Sequence, residues 1–382
     1  MNNRFDFLIV GSGFFGASFA RTVKDAGKTC LVIDKRDHIA GAAHDKQVND
    51  YYVSSYGAHI FHTHSKEIWD FIHQFGSFVP FTNRPKVISG NRVFSFPINL
   101  MTLHQLWGVK TPEEARHKLQ EVTAPFRVNH PKNFEEWALS MVGEEIYRTF
   151  FYGYTKKQWL KEPKELPTSI IQRLPIRLTY DENYFTTQYQ GMPTEGYTKI
   201  VENMLDGIPI ETNVDFLKNK DKWSSLAKMI VYTGPVDALF NYEYGELEYN
   251  TLMFKQEKKY GDFQGNAVLN YVSENVPYIR TIEYRHFYKH GDSIKHYNLN
   301  TETNQDLSIV AYDYPIPYKD HPDPLYPIRD DRNSEIYEKY ANLKKNQPNL
   351  ILGGRLGEYK YLDIDQSMAS AITKAKKAIQ NV

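Results

Sequence analysis

Two short apolar runs, one near each end of the chain, set the pattern from which the rest is read. Near the start, Phe5, Leu8, Ile9 and Val10 lead into Gly11-Ser12-Gly13-Phe14-Phe15-Gly16, and a helix-compatible stretch follows at 15–26. A second run, Thr29-Cys30-Leu31-Val32-Ile33, ends in Asp34. Near the end, Asn349-Leu350-Ile351-Leu352 leads into Gly353-Gly354-Arg355, and Tyr359-Lys360-Tyr361-Leu362-Asp363 precedes a last helical stretch at 364–379.

Between these ends the periodicity changes several times. A 3.6-residue spacing around Ile68, Trp69, Phe71 and Ile72 predicts a helix. Alternation over 79–96 predicts a strand pair turning at Ser89-Gly90-Asn91. Residues 101–177 read as helical. Thr111 caps a helix that has Pro112 in its first turn, and Asn133 caps another, with Glu135 and Glu136 following. In the second of these, Trp137, Met141, Ile146 and Phe150 fall on one expected buried face. A helix over 197–205 stops at Gly207. Residues 230–232, 267–271, 281–287 and 308–314 read as strands, and polar 298–306 as loop.

A strand, a G-x-G-x-x-G turn, a helix, a second strand and an acid about 20 residues on form the dinucleotide-binding pattern. The glycines allow a tight turn and close approach of the backbone to a pyrophosphate, which the first N–H groups of the helix then hold. The glycine triplet alone is weak; the ordered context makes it strong. The competing reading is a glycine-rich turn with no ligand. The stretch after Asp34, Lys35-Arg36-Asp37-His38-Ile39-Ala40-Gly41-Ala42-Ala43, resembles the extended fingerprint of glutathione-reductase-type FAD proteins, and the late Gly353-Gly354-Arg355 resembles their distal motif. FAD is the expected cofactor.

Composition narrows the classes further. The 382 residues carry 46 basic and 46 acidic side chains, so no global field draws the protein to nucleic acid. The single Cys30 excludes an intrachain disulfide and a cysteine metal cluster, and fits a reducing compartment. No run reaches the ~20 apolar residues of a membrane span. A cytoplasmic protein without membrane or nucleic-acid partners is expected. The 28 Tyr and 22 Phe include rings able to stack on a flavin or nucleobase, beside many ordinary core aromatics.

Several unusual motifs in order give a more specific likeness. These are Tyr56-Gly57-Ala58-His59-Ile60-Phe61-His62-Thr63, Gly153-Tyr154-Thr155-Lys156-Lys157-Gln158-Trp159, Arg173-Leu174-Pro175-Ile176-Arg177 and Asn183-Tyr184-Phe185. Glu165-Leu166-Pro167, Tyr189-Gln190-Gly191-Met192-Pro193, Gly196-Tyr197-Thr198, Val276-Pro277-Tyr278-Ile279-Arg280 and Gly354-Arg355-Leu356-Gly357 complete the set. The chain resembles the bacterial UDP-galactopyranose mutases from Phe5 to about Ala378.

That resemblance implies an α/β fold: a Rossmann-like FAD domain discontinuous in sequence, a helical insert and a second, antiparallel sheet. The expected FAD segments are 1–80, 196–240 and 331–382. The sheet segments are 81–98, 179–195 and 241–330, and the helical nucleotide-binding insert is 99–178, with a mobile loop near 160–170. It also implies a redox-neutral isomerase that interconverts pyranose and furanose rings of a nucleotide sugar and supplies furanose for cell-surface polysaccharide. In it, reduced FAD acts through N5 on the anomeric carbon while the diphosphate leaves. An external reductant such as NAD(P)H or dithionite supplies the electrons, and a homodimer stays open.

The resemblance assigns roles residue by residue. Arg173 and Arg280 hold the diphosphate, with Tyr184, Tyr314 and Tyr361 as hydroxyl donors; arginine suits phosphate because its planar fork binds two oxygens and stays charged. Taken alone, Arg173 reads as a helix-end charge and Arg280 as half of a cross-strand ion pair. His59 and His62, spaced by three, cannot share one face of a regular strand, and no companion ligands support a metal; the resemblance places them at the flavin as catalytic residues. Asn83 and Asn270 line the sugar pocket. Phe150, Phe151, Tyr154, Thr155, Gln158 and Trp159 meet the base, although part of this set reads equally as a helical core stripe. Gly11, Gly13, Phe14, Phe15, Gly16, Asp34, Lys35, Gly41, Ala42, His59, Ile60, Arg355, Tyr361, Leu362 and Asp363 hold the cofactor, and no metal is expected.

Two positions depart from the family. Leu160 stands where Gly usually follows the tryptophan, and Ala40-Gly41-Ala42 stands where the family has Gly-Gly-Asn. UDP-galactose, a dTDP-deoxysugar such as dTDP-fucose, and UDP-N-acetylgalactosamine all remain candidate substrates, and a flavin oxidoreductase with net redox turnover is the alternative from another class.

Overall fold

The computed structural model describes residues 4–168, 176–288, 299–300, 305–318 and 323–382. It separates into two compact units. The first is Met1–Pro80, Thr187–Thr251 and Tyr318–Val382, and the second Phe81–Thr186 and Leu252–Pro317.

The first unit is built on a five-stranded sheet in the spatial order Ile210–Glu211, Cys30–Ile33, Phe5–Val10, Ala227–Tyr232, Leu350–Leu352. All its pairings are parallel. Buried parallel strands read as continuous apolar runs, which is why the two terminal runs stood out. The helix Phe14–Asp25 packs along the last helix, Ile364–Ile379. The opposite side of the sheet is filled by Leu8, Leu31, Tyr232, Tyr340, Leu350 and Tyr359.

A hairpin, Asp45–Val48 with Tyr51–Ser54, fastens the helix Gly196–Met204. Asp45 is buried, and its carboxylate accepts from the N–H groups of Tyr197 at 2.7 Å and Thr198 at 3.0 Å, two donors that the helix start leaves unmatched. Burial pushes its pKa up against those bonds. A three-stranded sheet, Phe61–Thr63, Tyr189–Pro193 and Phe78–Pro80, completes the unit.

The second unit has a sheet in the order Tyr249–Tyr260, Gln305–Pro317, Arg280–Glu283, Val268–Tyr271, Lys86–Ser89, Arg92–Ser95; the first two residues of Tyr249–Tyr260 pair with Tyr326–Pro327 inside the first unit. Helices Leu100–Trp107, Pro112–Thr123 and Phe134–Ile146 enclose a core that includes Leu103, Phe134, Ala138, Ile146 and Tyr147. The expected caps are present: Thr111 Oγ1 accepts from Glu114 N at 3.2 Å, and Asn133 Oδ1 from Glu136 N at 2.9 Å.

Several expectations change. Met141 is 52 % exposed rather than core, because the buried stripe of its helix is Phe134, Ala138 and Val142. Past Gly143 (φ 74°) the chain runs into a π-helical turn, Tyr147–Tyr152, so Ile146 and Phe150 do not continue the Trp137–Met141 line. The strand begun at Arg280 ends at Glu283, and a 3₁₀ turn, Tyr284–Tyr288, replaces its continuation. Residues 299–300 pair antiparallel with 305–306 where loop was expected. Residues 187–195, 241–251, 318 and 323–330, assigned from sequence to the sheet domain, fall in the first unit, where Leu247 and Tyr249 pack with Tyr359.

Candidate active site

In the first unit both terminal segments line one cavity of about 370 Å³, together with Val10, Tyr232 and Thr233, at the carboxyl ends of the parallel strands. Open α/β sheets bind ligands at this edge. Of the predicted cofactor residues, Gly11, Gly13, Phe14, Phe15, Gly16, Asp34, Lys35, Gly41, Ala42, His59, Arg355, Leu362 and Asp363 line it. Ile60 and Tyr361 do not.

The glycines do different jobs. Gly11 has φ +108°, and a Cβ there would strike the Thr233 side chain; one on Gly16 would strike the Gly11 carbonyl. Those two positions are fixed by the fold itself. Around Gly13 the nearest atom to such a Cβ is the Gly41 Cα, 3.9 Å away, so this glycine leaves open cavity rather than packing space. A cradle that a side chain would fill is what a pyrophosphate requires.

Asp34 braces the turn. Its Oδ2 accepts from Ser12 N at 2.7 Å and Ser12 Oγ at 2.6 Å, and its Oδ1 from Arg36 N at 2.9 Å. Sequence reasoning passed over Arg36, which lines the same cavity, pairs with Asp323 at 2.9 Å and lies over the Tyr56 ring. An arginine three residues beyond the second strand was the available signal.

The turn Ala40–Ala43 is held from several sides. His59 Nε2 donates to the Ala42 carbonyl at 3.1 Å. His38 stacks on His44 with centroids 3.8 Å apart, and burial together with that neighbour brings the His44 pKa down to about 4. Ala40 adopts φ +70°, the conformation its glycine counterpart in the family would take without strain.

His62 lies on Phe61–Thr63, with Nε2 3.8 Å from Asp363 Oδ2. Asp363 begins the last helix, and its N–H donates to Gln366 Oε1 at 3.1 Å. Arg355 lies over the stacked rings of Tyr326 and Tyr361 and donates to the carbonyls of Leu325 and Leu362.

Arg173 lies outside the described residues. In the second unit, two of the predicted substrate residues, Asn270 and Arg280, stand in a row across the sheet. Asn270 stands opposite Arg280, and Arg280 opposite Asp313, so the three share one face. Arg280 Nε donates to Oδ2 of Asp313, a fully buried carboxylate that sequence reasoning missed. Burial pushes the Asp313 pKa up against the pull of the guanidinium. The alternation Tyr312-Asp313-Tyr314 was the clue.

Asn83 is buried, and its Oδ1 has no hydrogen-bond partner among the described residues. Tyr184 and Tyr314 sit in edge-on aromatic contacts, with Phe185 and Tyr278 respectively. Phe150, Phe151 and Thr155 are buried, with Phe150 edge-on to Phe94 and Phe151 to Phe134, whereas Tyr154, Gln158 and Trp159 keep partial exposure. Lys157 fixes their helix by donating to the carbonyls of Tyr271, Val276 and Tyr278 at 2.8–3.0 Å; burial brings its pKa down to about 8. Leu160 ends that helix in the left-handed region, at φ 53°.

Fold and cavity together define an α/β protein with a Rossmann-like dinucleotide site. The NAD(P)-binding Rossmann-like domain family matches residues 9–75, and the UDP-galactopyranose mutase family matches residues 149–361. A probable UDP-galactopyranose mutase of Klebsiella pneumoniae is 39% identical, covering 100% of this chain and 96% of that protein. A dTDP-fucopyranose mutase of Escherichia coli is 37% identical over 98% of each. A crystal structure of reduced UDP-galactopyranose mutase superposes with a TM-score of 0.72 at 13% identity, covering 99% of this chain and 96% of that one. The chain belongs to the UDP-galactopyranose mutase family and is an isomerase. Among the described residues, no helix is long and apolar enough to cross a membrane.

Proposed function

We propose that this chain interconverts the pyranose and furanose forms of UDP-galactose, using FAD held in the cavity of the first unit and kept reduced by an external donor such as NAD(P)H. The observation carrying this reading is the cavity itself, where the amino-terminal fingerprint and the distal segment meet around the open space at Gly13. When bound and reduced, a flavin supplies an electron-rich ring nitrogen able to displace a diphosphate from an anomeric carbon with no net redox change.

The chain's own residues do the rest. The backbone N–H groups that open Phe14–Asp25 hold the cofactor pyrophosphate, with Gly11 and Gly16 fixing the turn. Arg355 in the cavity wall, and His62 beside Asp363 rather than in the lining itself, place positive or polarisable groups for the reduced ring, and His59 keeps the Ala42 turn in place. Arg280, aligned by Asp313, meets the substrate diphosphate as negative charge develops on it, in a role shared with Arg173. Tyr184 and Tyr361 donate to phosphate oxygens, whereas Tyr314, next to Asp313 on its strand, points to the other face of the sheet from Arg280. The orphan Oδ1 of Asn83 accepts from a sugar hydroxyl, and Asn270 lines the same sugar. Tyr154, Gln158 and Trp159 meet the base, over a floor made by Phe150, Phe151 and Thr155.

A second substrate reading, dTDP-fucopyranose, rests on the 37% identity to the Escherichia coli enzyme and on the departures at Ala42 and Leu160. The test is kcat/KM for the two sugar nucleotides with reduced holoenzyme. A preference of at least about tenfold for UDP-galactose supports the first reading; the reverse preference replaces it with the second.

A further inference from the structure

The first unit carries another cavity, of about 600 Å³, on the open edge of its parallel sheet. Its floor is apolar, formed by Met229, Leu350 and Leu352, and Tyr337 stands in one wall. Four lysines line it, Lys344, Lys360, Lys374 and Lys377, against the single carboxylate of Glu358. In a chain with equal numbers of acids and bases, this is a marked local excess.

The charges are not equivalent. Lys374 donates to the Leu352 carbonyl at 2.8 Å and pairs with Glu358 at 2.9 Å, which neutralises the one acid. Ser370 Oγ donates to the same carboxylate. Among the described residues, the ammonium groups of Lys344, Lys360 and Lys377 make no hydrogen bond or ion pair. They come from two helices and the segment between them: Lys344 from Asp331–Lys345, Lys377 from Ile364–Ile379, and Lys360 just beyond Gly354–Gly357. Placing like charges around one concavity is unfavourable unless an anion or water screens them.

We propose that this cleft is a second ligand site, for a nucleoside polyphosphate. The phosphates meet Lys344, Lys360 and Lys377, and the flat nucleoside lies on the Met229 and Leu350 floor beside Tyr337. No residue lines both this cleft and the dinucleotide cavity among the described residues. The common alternative is that short edge strands carry lysines merely to prevent edge-to-edge pairing.

The experiment uses FAD-loaded protein with saturating UDP, which closes the sites of the proposed reaction, and titrates ADP and inorganic pyrophosphate by calorimetry. The expected result is one ADP per chain with Kd near about 100 µM. Pyrophosphate should bind more weakly, and both should release at about 1 M salt, where the Debye length is only about 3 Å. Lys344→Ala/Lys360→Ala/Lys377→Ala should weaken ADP at least tenfold while its circular dichroism and bound FAD stay unchanged, and Lys344→Glu/Lys377→Glu should abolish binding. Absence of saturable ADP binding, pyrophosphate binding as tight as ADP, or equal affinity in wild type and triple variant would each overturn the assignment.

Discussion

Arg280 faces Asp313 directly across two antiparallel strands, and its Nε donates to a carboxylate with no solvent exposure. A buried charge with a single partner both orients that partner and depends on it. Removing the arginine strands the carboxylate, and breaking such a pair costs about 3–5 kcal/mol. Arg280→Ala should therefore lose stability in urea at neutral pH and recover part of it in acid. The sign follows from Asp313, whose pKa is raised by burial. The folded variant holds its proton to higher pH than the unfolded chain, so stability falls as pH rises through that interval. Equal losses at both pH values would contradict the pairing. In kinetics, Asp313→Asn should lower kcat/KM by roughly tenfold or more, since a misaligned guanidinium stabilises a leaving diphosphate less well.

The two glycines of the fingerprint separate fold from ligand. Gly13→Ala should fold with nearly native stability, because its φ of −68° suits alanine and its Cβ meets open space. It should also weaken FAD by at least about tenfold, since the methyl group enters the pyrophosphate cradle. Gly16→Ala, aimed at the Gly11 carbonyl, should be destabilised even without cofactor. Thermal unfolding of apoprotein and FAD titration of each variant check this. Full FAD affinity in Gly13→Ala would contradict the placement.

Leu160 holds a left-handed conformation at the end of Gly153–Trp159 while 47 % exposed. A left-handed L-residue costs about 1–2 kcal/mol, and glycine returns part of that gain through its freer unfolded chain. Leu160→Gly should raise stability by about 0.5–1 kcal/mol, because little packing is lost. A drop in Tm would show that the Leu160 side chain makes contacts that outweigh its backbone strain.

Acid should loosen the cofactor turn. His44 takes up its proton near pH 4 in the folded protein and near 6.5 when unfolded, so its contribution is complete above about 6.5 and is lost as pH falls toward 4. Tm should fall by several degrees across that window, and the slope should flatten in His44→Gln. Parallel slopes in the two proteins would remove His44 as the cause.

What the sequence revealed follows from its physics. The parallel sheet was legible because strands buried on both faces are apolar throughout, and the caps at Thr111 and Asn133 because a side-chain oxygen must meet orphan N–H groups. The strand Tyr249–Tyr260 was not, since its second half, Lys255 to Lys259, is charged and carries no apolar alternation. Asp45 gave no local sign of its role, because the helix it caps lies some 150 positions away. Asp313 gave a local sign only as the polar position in Tyr312-Asp313-Tyr314; its importance lies in a partner on another strand.

The central claim is that the chemistry is redox-neutral ring interconversion, and one measurement addresses it directly. Dithionite-reduced holoprotein is mixed anaerobically with UDP-galactopyranose; NMR follows the sugar ring and absorbance follows the flavin. The account predicts accumulation of UDP-galactofuranose over many turnovers with the flavin still reduced. Flavin reoxidation in step with sugar consumption, with no furanose formed, would contradict it and assign the chain to net redox chemistry.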